Sequence, residues 1–377
     1  METILAWQNV IDNKIRAAVA VGSVCFAVLL IYMQLGFYDT TRRSSTLVYD
    51  QWDFDLLLVS RHYAHLRAPG FLPRRRLWQA KRVSGVADTA ALYVFAGDYR
   101  NPIDRSLQEA MIVGVEPDKR LFRSPAIQAK VAQLKKTDTA IMDRVTTTPG
   151  FGPITPNRMV EFHRKRLQVA DVYDGGAGFI ADGVLLVGDE TMPRLFAGFS
   201  RERVSIALVQ LEPTADRGQV ALALRSVLPD DVQIWTRERV EANEQHFFLG
   251  VKPSGILFGA GVVLGFSVGA VVLYQILSGE VTRQLKEYAT LKAMGYYAGA
   301  LNSVVLQQAG MFAVLGYLPA TGLAFVFYGI MEKQTKMPFV MTAARIVGVL
   351  VLSLALCMFA GWLASRKAHQ KDPADLF

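Results

Sequence analysis

Four long segments without a charged residue constrain this chain more than any other feature of its sequence. They are Ala17–Tyr38, Gly255–Leu277, Ala309–Met331 and Ile346–Ala364. Each is long enough to cross a hydrocarbon core of roughly 30 Å at about 1.5 Å per helical residue. A backbone in lipid must satisfy its own hydrogen bonds, so we expect every segment to be a helix. The sequence therefore predicts four transmembrane helices.

The first apolar segment has some features of a secretory signal peptide, because Lys14 and Arg16 precede it. Its apolar run is longer than a signal-peptide core, and no small-x-small cleavage site closes it, so we interpret it as a membrane anchor. The residues before it, 1–16, carry apolar side chains at helical spacing. These predict either a helical lead-in to the first span or a separate helix lying on the membrane surface.

Two further features concern compartment and orientation. Both cysteines, Cys25 and Cys357, fall inside apolar segments, so a disulfide framework does not support the rest of the chain. Lysines and arginines near the spans are slightly more numerous on the side of the two termini. This bias favours an orientation with both termini in the cytoplasm.

The chain between the first two spans, residues 39–252, has nearly balanced charges and predicts a water-exposed α+β domain. Short β-rich runs recur within it, for example at 91–95, 111–115 and 184–187, and glycine and proline punctuate them. Helical patterns intervene near 73–82, 125–136 and 218–228. The predicted organisation is 1–38 for the N-terminal helix and first span, 39–252 for a large exported domain, and 253–377 for the other three spans together with a helical loop at 280–295.

One catalytic-looking string occurs in the second span, where Gly265–Gly269 reads G-x-S-x-G around Ser267. In lipases and esterases that motif needs a sharp strand-to-helix turn, and an uninterrupted apolar span offers none. We interpret the glycines as a packing stripe, because small residues let helix backbones approach closely in lipid. The predicted helix-packing residues are Gly255, Gly259, Gly261, Gly265 and Gly269.

The remaining motifs do not predict a metal site or a nucleotide-binding site in this chain. His62 and His65 lack a third ligand at metal spacing. The glycine-rich run 174–178 lacks the P-loop pattern, and the sequence contains no Gly-Lys pair. The basic run 73–82 could hold phosphate headgroups or an acidic partner, or could be a solvated helix face. We expect no nucleic-acid partner, because this run lies on the exported side.

The loop between the second and third spans contains a charged, helix-prone stretch, LKEYATLKAMG, within residues 280–295. Its apolar side chains follow helical spacing, and Gly295 is placed to end the helix. About four helical turns suit a stiff rod that carries force along a surface. An ordinary interfacial helix would give the same periodicity.

Five stretches of this chain resemble DevC-type ABC transporter permeases, which belong to the FtsX/MacB/LolC superfamily. The resemblance runs from the first span to the last residue, and the arrangement of one span, a large domain and three spans agrees with it. The stretches that carry it are Met33–Phe37, Phe151–Ile154, Tyr274–Leu277, Glu287–Tyr296 and Asp372–Phe377.

The resemblance implies a non-catalytic, homodimeric permease in the bacterial inner membrane, working with a separate cytoplasmic ATPase that binds Mg-ATP. Residues 280–295 would be the coupling helix seated in that ATPase. The periplasmic domain would engage a membrane-fusion protein and, through it, a TolC-like outer-membrane channel. Such proteins transmit ATPase strokes by mechanotransmission, here for lipid-like or glycolipid cargo. The implied coupling residues are Glu280, Leu285, Glu287, Tyr288, Leu291, Lys292, Met294 and Gly295.

Two alternatives remain at this point. An FtsX-like signalling subunit would use the same strokes to activate a periplasmic cell-wall hydrolase. A membrane-bound hydrolase would use Ser267 as its nucleophile, and labelling of Ser267 by a serine-reactive probe would support it.

Overall fold

The computed structural model describes residues 14–145, 150–176, 178, 180–283 and 298–369. In chain order its helices are α1 (Lys14–Ser44), α2 (Leu47–Gln51), α3 (Arg75–Lys81), α4 (Pro125–Val131), α5 (Met192–Leu195), α6 (Arg217–Val227), α7 (Arg237–His246), α8 (Pro253–Arg283), α9 (Ala298–Thr335) and α10 (Ala343–His369). A 3₁₀ turn, Ala132–Lys135, follows α4, and a π-helical turn, Phe247–Val251, follows α7.

The strands all lie between α2 and α7. They are β1 (Leu56–Ser60), β2 (Leu72–Pro73), β3 (Val86–Arg100), β4 (Leu107–Val115), β5 (Thr139–Asp143), β6 (Met159–Phe162), β7 (Lys165–Tyr173), β8 (Val184–Gly188), β9 (Arg203–Val204), β10 (Ile206–Leu211) and β11 (Val232–Thr236).

The chain divides into two compact units. One contains α1 as far as Asp39, α8, α9 as far as Glu332, and α10. The other contains Thr40–Pro253, together with the short connection Lys333–Pro338 that follows the third long helix. The predicted large domain spans 39–252, so the second unit adds a connection that sequence patterns assign to the spans.

The first unit is a bundle of four helices, each long and apolar enough to cross a membrane by length and composition. The buried residues of α1 recur at helical spacing, at Ala20, Val24, Val28 and Ile31, and pack against the other helices. The opposite side of α1 leaves apolar side chains such as Phe26 exposed, as a lipid-facing surface requires. The predicted fold class, one span, a large α+β periplasmic domain and three spans, is confirmed.

The second unit is built on a nine-stranded sheet in the order β11-β1-β10-β3-β4-β8-β5-β7-β6. Most neighbours are antiparallel, whereas β4–β8 and β5–β7 are parallel. Successive residues of β1 enter opposite cores: Leu56 and Leu58 lie in one, Leu57 and Val59 in the other. Strand side chains alternate between the two faces, so both faces of this sheet are buried beneath helices.

The sheet closes on itself over part of its length. The long strand β3 pairs with β10 near its start and with β4 along most of its length. At its end, Tyr99 and Arg100 pair with Phe162 and Glu161 of β6. The strands β3, β4, β8, β5, β7 and β6 therefore form a ring, while β11, β1 and β10 extend from it as an open sheet.

Candidate functional site

The predicted coupling segment, residues 280–295, lies only partly within the described residues. The helix that carries the second span continues without a break to Arg283, so Glu280 belongs to α8. The other proposed contact residues lie outside the described part of the chain. They are Leu285, Glu287, Tyr288, Leu291, Lys292, Met294 and Gly295.

The glycines of α8 follow the surface of α1. A Cβ on Gly269 would lie 2.6 Å from Ala27 Cβ, and a Cβ on Gly261 would lie 2.5 Å from the side chain of Gln34. Gly265 is buried and has more room, since its Cβ would sit 3.5 Å from Leu30 Cβ. The order of these partners shows that the two helices run antiparallel at close approach.

The two remaining glycines of the stripe differ from these three. Gly255 is buried near the start of α8. Gly259 has no atom within 4 Å of the position its Cβ would occupy, so a side chain there would enter open space. Of the five predicted packing residues, Gly261, Gly265 and Gly269 of α8 face α1.

Ser267 lies within this same helix and makes a local bond. Its hydroxyl donates to the carbonyl of Val263, one turn earlier, at 2.8 Å. Residues 265–269 are regular helix, so they do not form the strand-to-helix turn on which a nucleophile elbow depends.

An ion pair joins the first and fourth long helices. Arg345 Nη2 lies 2.7 Å from Asp39 Oδ2, and the two side chains are 8% and 21% exposed. Arg345 Nη1 also donates to the carbonyl of Val340 at 2.8 Å and to the Tyr328 hydroxyl at 3.4 Å. We call Asp39, Tyr328 and Arg345 the bundle latch.

Tyr328 brings the third long helix into the bundle latch. Its hydroxyl donates to the carbonyl oxygen of Tyr32 on α1. The ring fits against Gly36, where a Cβ would lie 2.5 Å from the tyrosine hydroxyl oxygen. Gly36 therefore provides the space that admits Tyr328 to the backbone of α1.

A second polar contact lies further along α1. The Tyr32 hydroxyl is 3.1 Å from the Tyr317 hydroxyl and 3.2 Å from Thr321 Oγ1, and Tyr317 donates to the carbonyl of Ile346 at 2.8 Å. Tyrosine hydroxyls in an apolar bundle need such partners, because an unpaired polar group is costly there. These bonds fix α1, α9 and α10 in one relative position.

The bundle latch was not predicted from the sequence. Arg345 stands just before the fourth apolar segment and Asp39 just after the first, and sequence reasoning used Arg345 only for orientation. The two residues have opposite charges and lie at span ends on the same side of the membrane. This pattern in the sequence could have predicted the ion pair. Charged residues near spans are costly unless paired, so such a pair points to a functional or structural contact.

In the large domain, ion pairs neutralise much of the basic run 73–82. Arg74 pairs with Glu116, Arg76 Nη2 lies 2.7 Å from Asp231 Oδ2, and Lys81 Nζ lies 2.7 Å from Asp88 Oδ1. Arg76 is buried, so this arginine stabilises the domain rather than presenting charge to a partner.

The glycine-rich run 174–178 surrounds a carboxylate of the chain itself. Buried Asp143 accepts backbone hydrogen bonds from Gly175 at 3.0 Å, Gly176 at 2.6 Å and Val145 at 2.9 Å. Burial raises the pKa of Asp143, and these three bonds oppose the shift. The amides of Gly175 and Gly176 thus already donate to a carboxylate of the chain.

The geometry so far defines a four-span membrane protein whose helices are held by a glycine stripe and a polar latch. Residues 259–373, which include most of α8 and all of α9 and α10, match the family described as FtsX-like permease C-terminal. This part of the chain is therefore similar to FtsX-like permease domains. No curated protein matches the chain.

Solved structures that match this chain do so at low sequence identity and with TM-scores below 0.5. The periplasmic region of MacB from Actinobacillus actinomycetemcomitans is 12% identical with a TM-score of 0.38, covering 52% of this chain and 94% of that one. The extracellular domain of the noncanonic ABC-type transporter YknZ from Gram-positive bacteria is 14% identical with a TM-score of 0.33, covering 49% of this chain and 100% of that one.

Proposed function

We propose that this chain is the non-catalytic permease subunit of an ABC-type exporter of the DevC kind. The observation that carries the proposal is the FtsX-like permease match over residues 259–373, within a chain that places its large domain between the first and second spans. In this proposal the subunit is a homodimer in a bacterial inner membrane, and a separate ATPase binds Mg-ATP on the cytoplasmic side.

The proposed route of force begins at residues 280–295, which seat in the ATPase. The α8–α1 contact and the bundle latch tie the first, third and fourth long helices to the moving segment. The periplasmic domain would pass the movement to a membrane-fusion protein and a TolC-like channel. Lipid-like or glycolipid cargo is the proposed class, by the resemblance to DevC-type systems.

A pull-down of solubilised membranes with the tagged full-length chain tests the central part of this proposal. We expect an ABC ATPase to co-purify with the native chain and to be lost from the double variant Leu291→Asp, Met294→Asp. A matched control, Thr290→Asp with Ala293→Asp, adds the same two charges to the same segment at positions outside the proposed contact. It should retain the ATPase.

Three other results would change the proposal. If the double variant also retains the ATPase, the coupling contact lies elsewhere. If the native chain captures no ATPase, the transporter assignment fails. If a soluble cell-wall hydrolase co-purifies in place of a membrane-fusion protein, the FtsX-like signalling function replaces export.

A further inference from the structure

The chain enters and leaves the large domain through neighbouring elements at one edge of the sheet. α2 follows α1 and leads into β1, whereas β11 leads into α7, which precedes α8. The strands β1 and β11 pair antiparallel, from Leu56 opposite Thr236 to Ser60 opposite Val232. The two connections to the spans therefore meet the domain side by side.

A buried carboxyl joins these two connections. Glu244 of α7 is 0% exposed, and its Oε1 accepts hydrogen bonds from the hydroxyls of Tyr49 on α2 and Tyr63, at 2.9 and 2.7 Å. The backbone N–H of Leu66 donates to the same oxygen at 3.0 Å. We call Tyr49, Tyr63, Leu66 and Glu244 the Glu244 clasp.

A second set of contacts ties the same two helices about two turns earlier along α7. Arg237 Nη1 donates to the carbonyl of Tyr49 at 3.1 Å, and its Nη2 donates to the carbonyl of Trp52 at 3.3 Å. The guanidinium also lies over the ring of Phe54, 4.2 Å from the centroid. Because the two attachments are spaced along the helix axis, α7 is held against rotation as well as separation.

Burying the Glu244 carboxyl costs more free energy than an apolar side chain at the same position would. Burying a carboxyl without full compensation costs several kcal/mol, and well-packed apolar residues are often at least as stabilising. Here three donors converge on Oε1, while Oε2 is buried without a hydrogen-bond partner among the described residues. Directional bonds give a defined relative position of α2 and α7, which apolar packing alone specifies less sharply.

We propose that the Glu244 clasp is the positioning element that makes α2 and α7 move as one body. A displacement of either flanking helix, α1 or α8, then reaches the domain at the β1–β11 edge without pulling those strands apart. That the clasp transmits movement between the spans and the domain rests on the proposed function. That it joins α2 to α7 follows from the hydrogen bonds of Glu244 within the large domain.

Distance measurement by electron paramagnetic resonance on the full-length chain tests the clasp. Nitroxide labels go on exposed residues of the two helices, through Asp50→Cys on α2 and Ala242→Cys on α7, with Cys25→Ser and Cys357→Ser removing the native thiols. Asp50→Cys removes a carboxylate 3.4 Å from Arg237 Nη1, and it does so equally in every variant that is compared. We expect a narrow distance distribution in the otherwise native chain. Glu244→Leu removes the acceptor and should widen the distribution roughly twofold through local opening.

Two further variants separate positioning from folding. Glu244→Gln keeps the accepting oxygen and should preserve the narrow distribution, whereas Tyr49→Phe removes one donor and should widen it partly. The distances of a control label pair at Ile103, in the turn between β3 and β4, and Arg166, on β7, should be unchanged in all variants if the domain remains folded.

The outcomes are distinguishable from those of the pull-down. If Glu244→Leu leaves the distribution narrow, the clasp does not hold the two helices and the inference is overturned, whatever co-purifies. If Glu244→Leu widens the distribution and the control pair does not change, the clasp is supported even where no ATPase is captured, and only the proposed function fails.

Discussion

At the scale of single residues, the informative positions are charged groups placed where water is scarce. Asp39 and Arg345 lie at the ends of long helices, and Glu244 lies inside the domain. In each case hydrogen bonds to groups on other elements compensate the charge or polarity. Such groups fix relative positions, because their energy depends on direction more strongly than apolar contact does.

Breaking the bundle latch should destabilise the protein more than breaking a surface pair. Asp39→Asn leaves the largely buried Arg345 without its carboxylate, and we expect a loss of about 3 kcal/mol. The matched control Asp118→Asn breaks the exposed pair with Lys135, for which we expect about 0–1 kcal/mol. Thermal unfolding of the purified chain in one detergent compares the two variants.

The reciprocal variant completes this test. Exchanging the charges, with Asp39→Arg and Arg345→Asp together, should recover part of the stability that either single change removes. Equal unfolding temperatures for Asp39→Asn and Asp118→Asn would show that the latch contributes no more than a surface pair.

The pH dependence of stability should report the burial of Glu244. Burial raises the pKa of this carboxyl above its ordinary value of 4.5, so the folded protein holds the proton more tightly than the unfolded chain. This contribution is fully present below pH 4.5 and is lost as the pH rises through the raised pKa. The difference in Tm between the native chain and Glu244→Gln should therefore be more favourable to the native chain at about pH 4 than at about pH 7.

The Tm of the native chain is compared with that of Glu244→Gln because the pKa values of other carboxyls are also shifted, some upward and some downward. Burial raises the pKa of Asp143, while hydrogen bonds from Lys119 and Lys81 outweigh burial and lower the pKa of Asp88. Both groups are present in the native chain and the variant, so their contributions cancel in the difference. A difference that stays constant across this range would mean that Glu244 titrates alike in the folded and unfolded states.

At the scale of elements, α8 makes a close helix contact with α1. A side chain on Gly269 would collide with Ala27, one on Gly261 would displace the end of the Gln34 side chain, and one on Gly259 would enter open space. Gly265 is intermediate, because its added Cβ would make an ordinary contact with Leu30. The glycines of one helix therefore differ in what a substitution should do.

Gly269→Leu should weaken the bundle, and Gly259→Leu should not. Overpacking a close contact costs about 1–3 kcal/mol, because helices must separate or side chains must leave their preferred rotamers. We expect Gly269→Leu, and to a smaller extent Gly265→Leu, to lower Tm and the monodisperse fraction on size-exclusion chromatography. Similar losses for Gly259→Leu would indicate that added bulk in lipid, rather than the α1 contact, causes the defect.

The elements could be predicted from sequence to different degrees. The spans follow from uninterrupted apolar segments, and the predicted strand runs at 91–95, 111–115 and 184–187 lie within β3, β4 and β8. The helix α7 was missed, because its sequence RERVEANEQH has almost no apolar stripe. Its position depends on Glu244 and Arg237, whose partners are far away in sequence, so local patterns contain no signal for them.

At the scale of the whole molecule, the proposed function places the large domain and the loop 284–297 on opposite sides of the membrane. Single cysteines test this in a chain without Cys25 and Cys357. A membrane-impermeant maleimide should label Ser226→Cys, on the exposed face of α6, once the outer membrane is permeable. It should label Thr290→Cys only after the inner membrane is also opened.

Reversed labelling would invert the orientation favoured by the positive-charge bias. Labelling of both cysteines from one side would contradict the separation of the domain and the loop by the span α8, and with it the proposed route of force.

The ring of strands has a consequence for how the large domain can associate. A sheet normally ends in two strands whose free N–H and C=O groups can pair with another chain. Because the end of β3 pairs with β6, the border of the nine-stranded sheet that is open along its whole length among the described strands is the one along β11. Strand addition by a foreign peptide to this sheet is therefore favoured beside the elements that carry the Glu244 clasp.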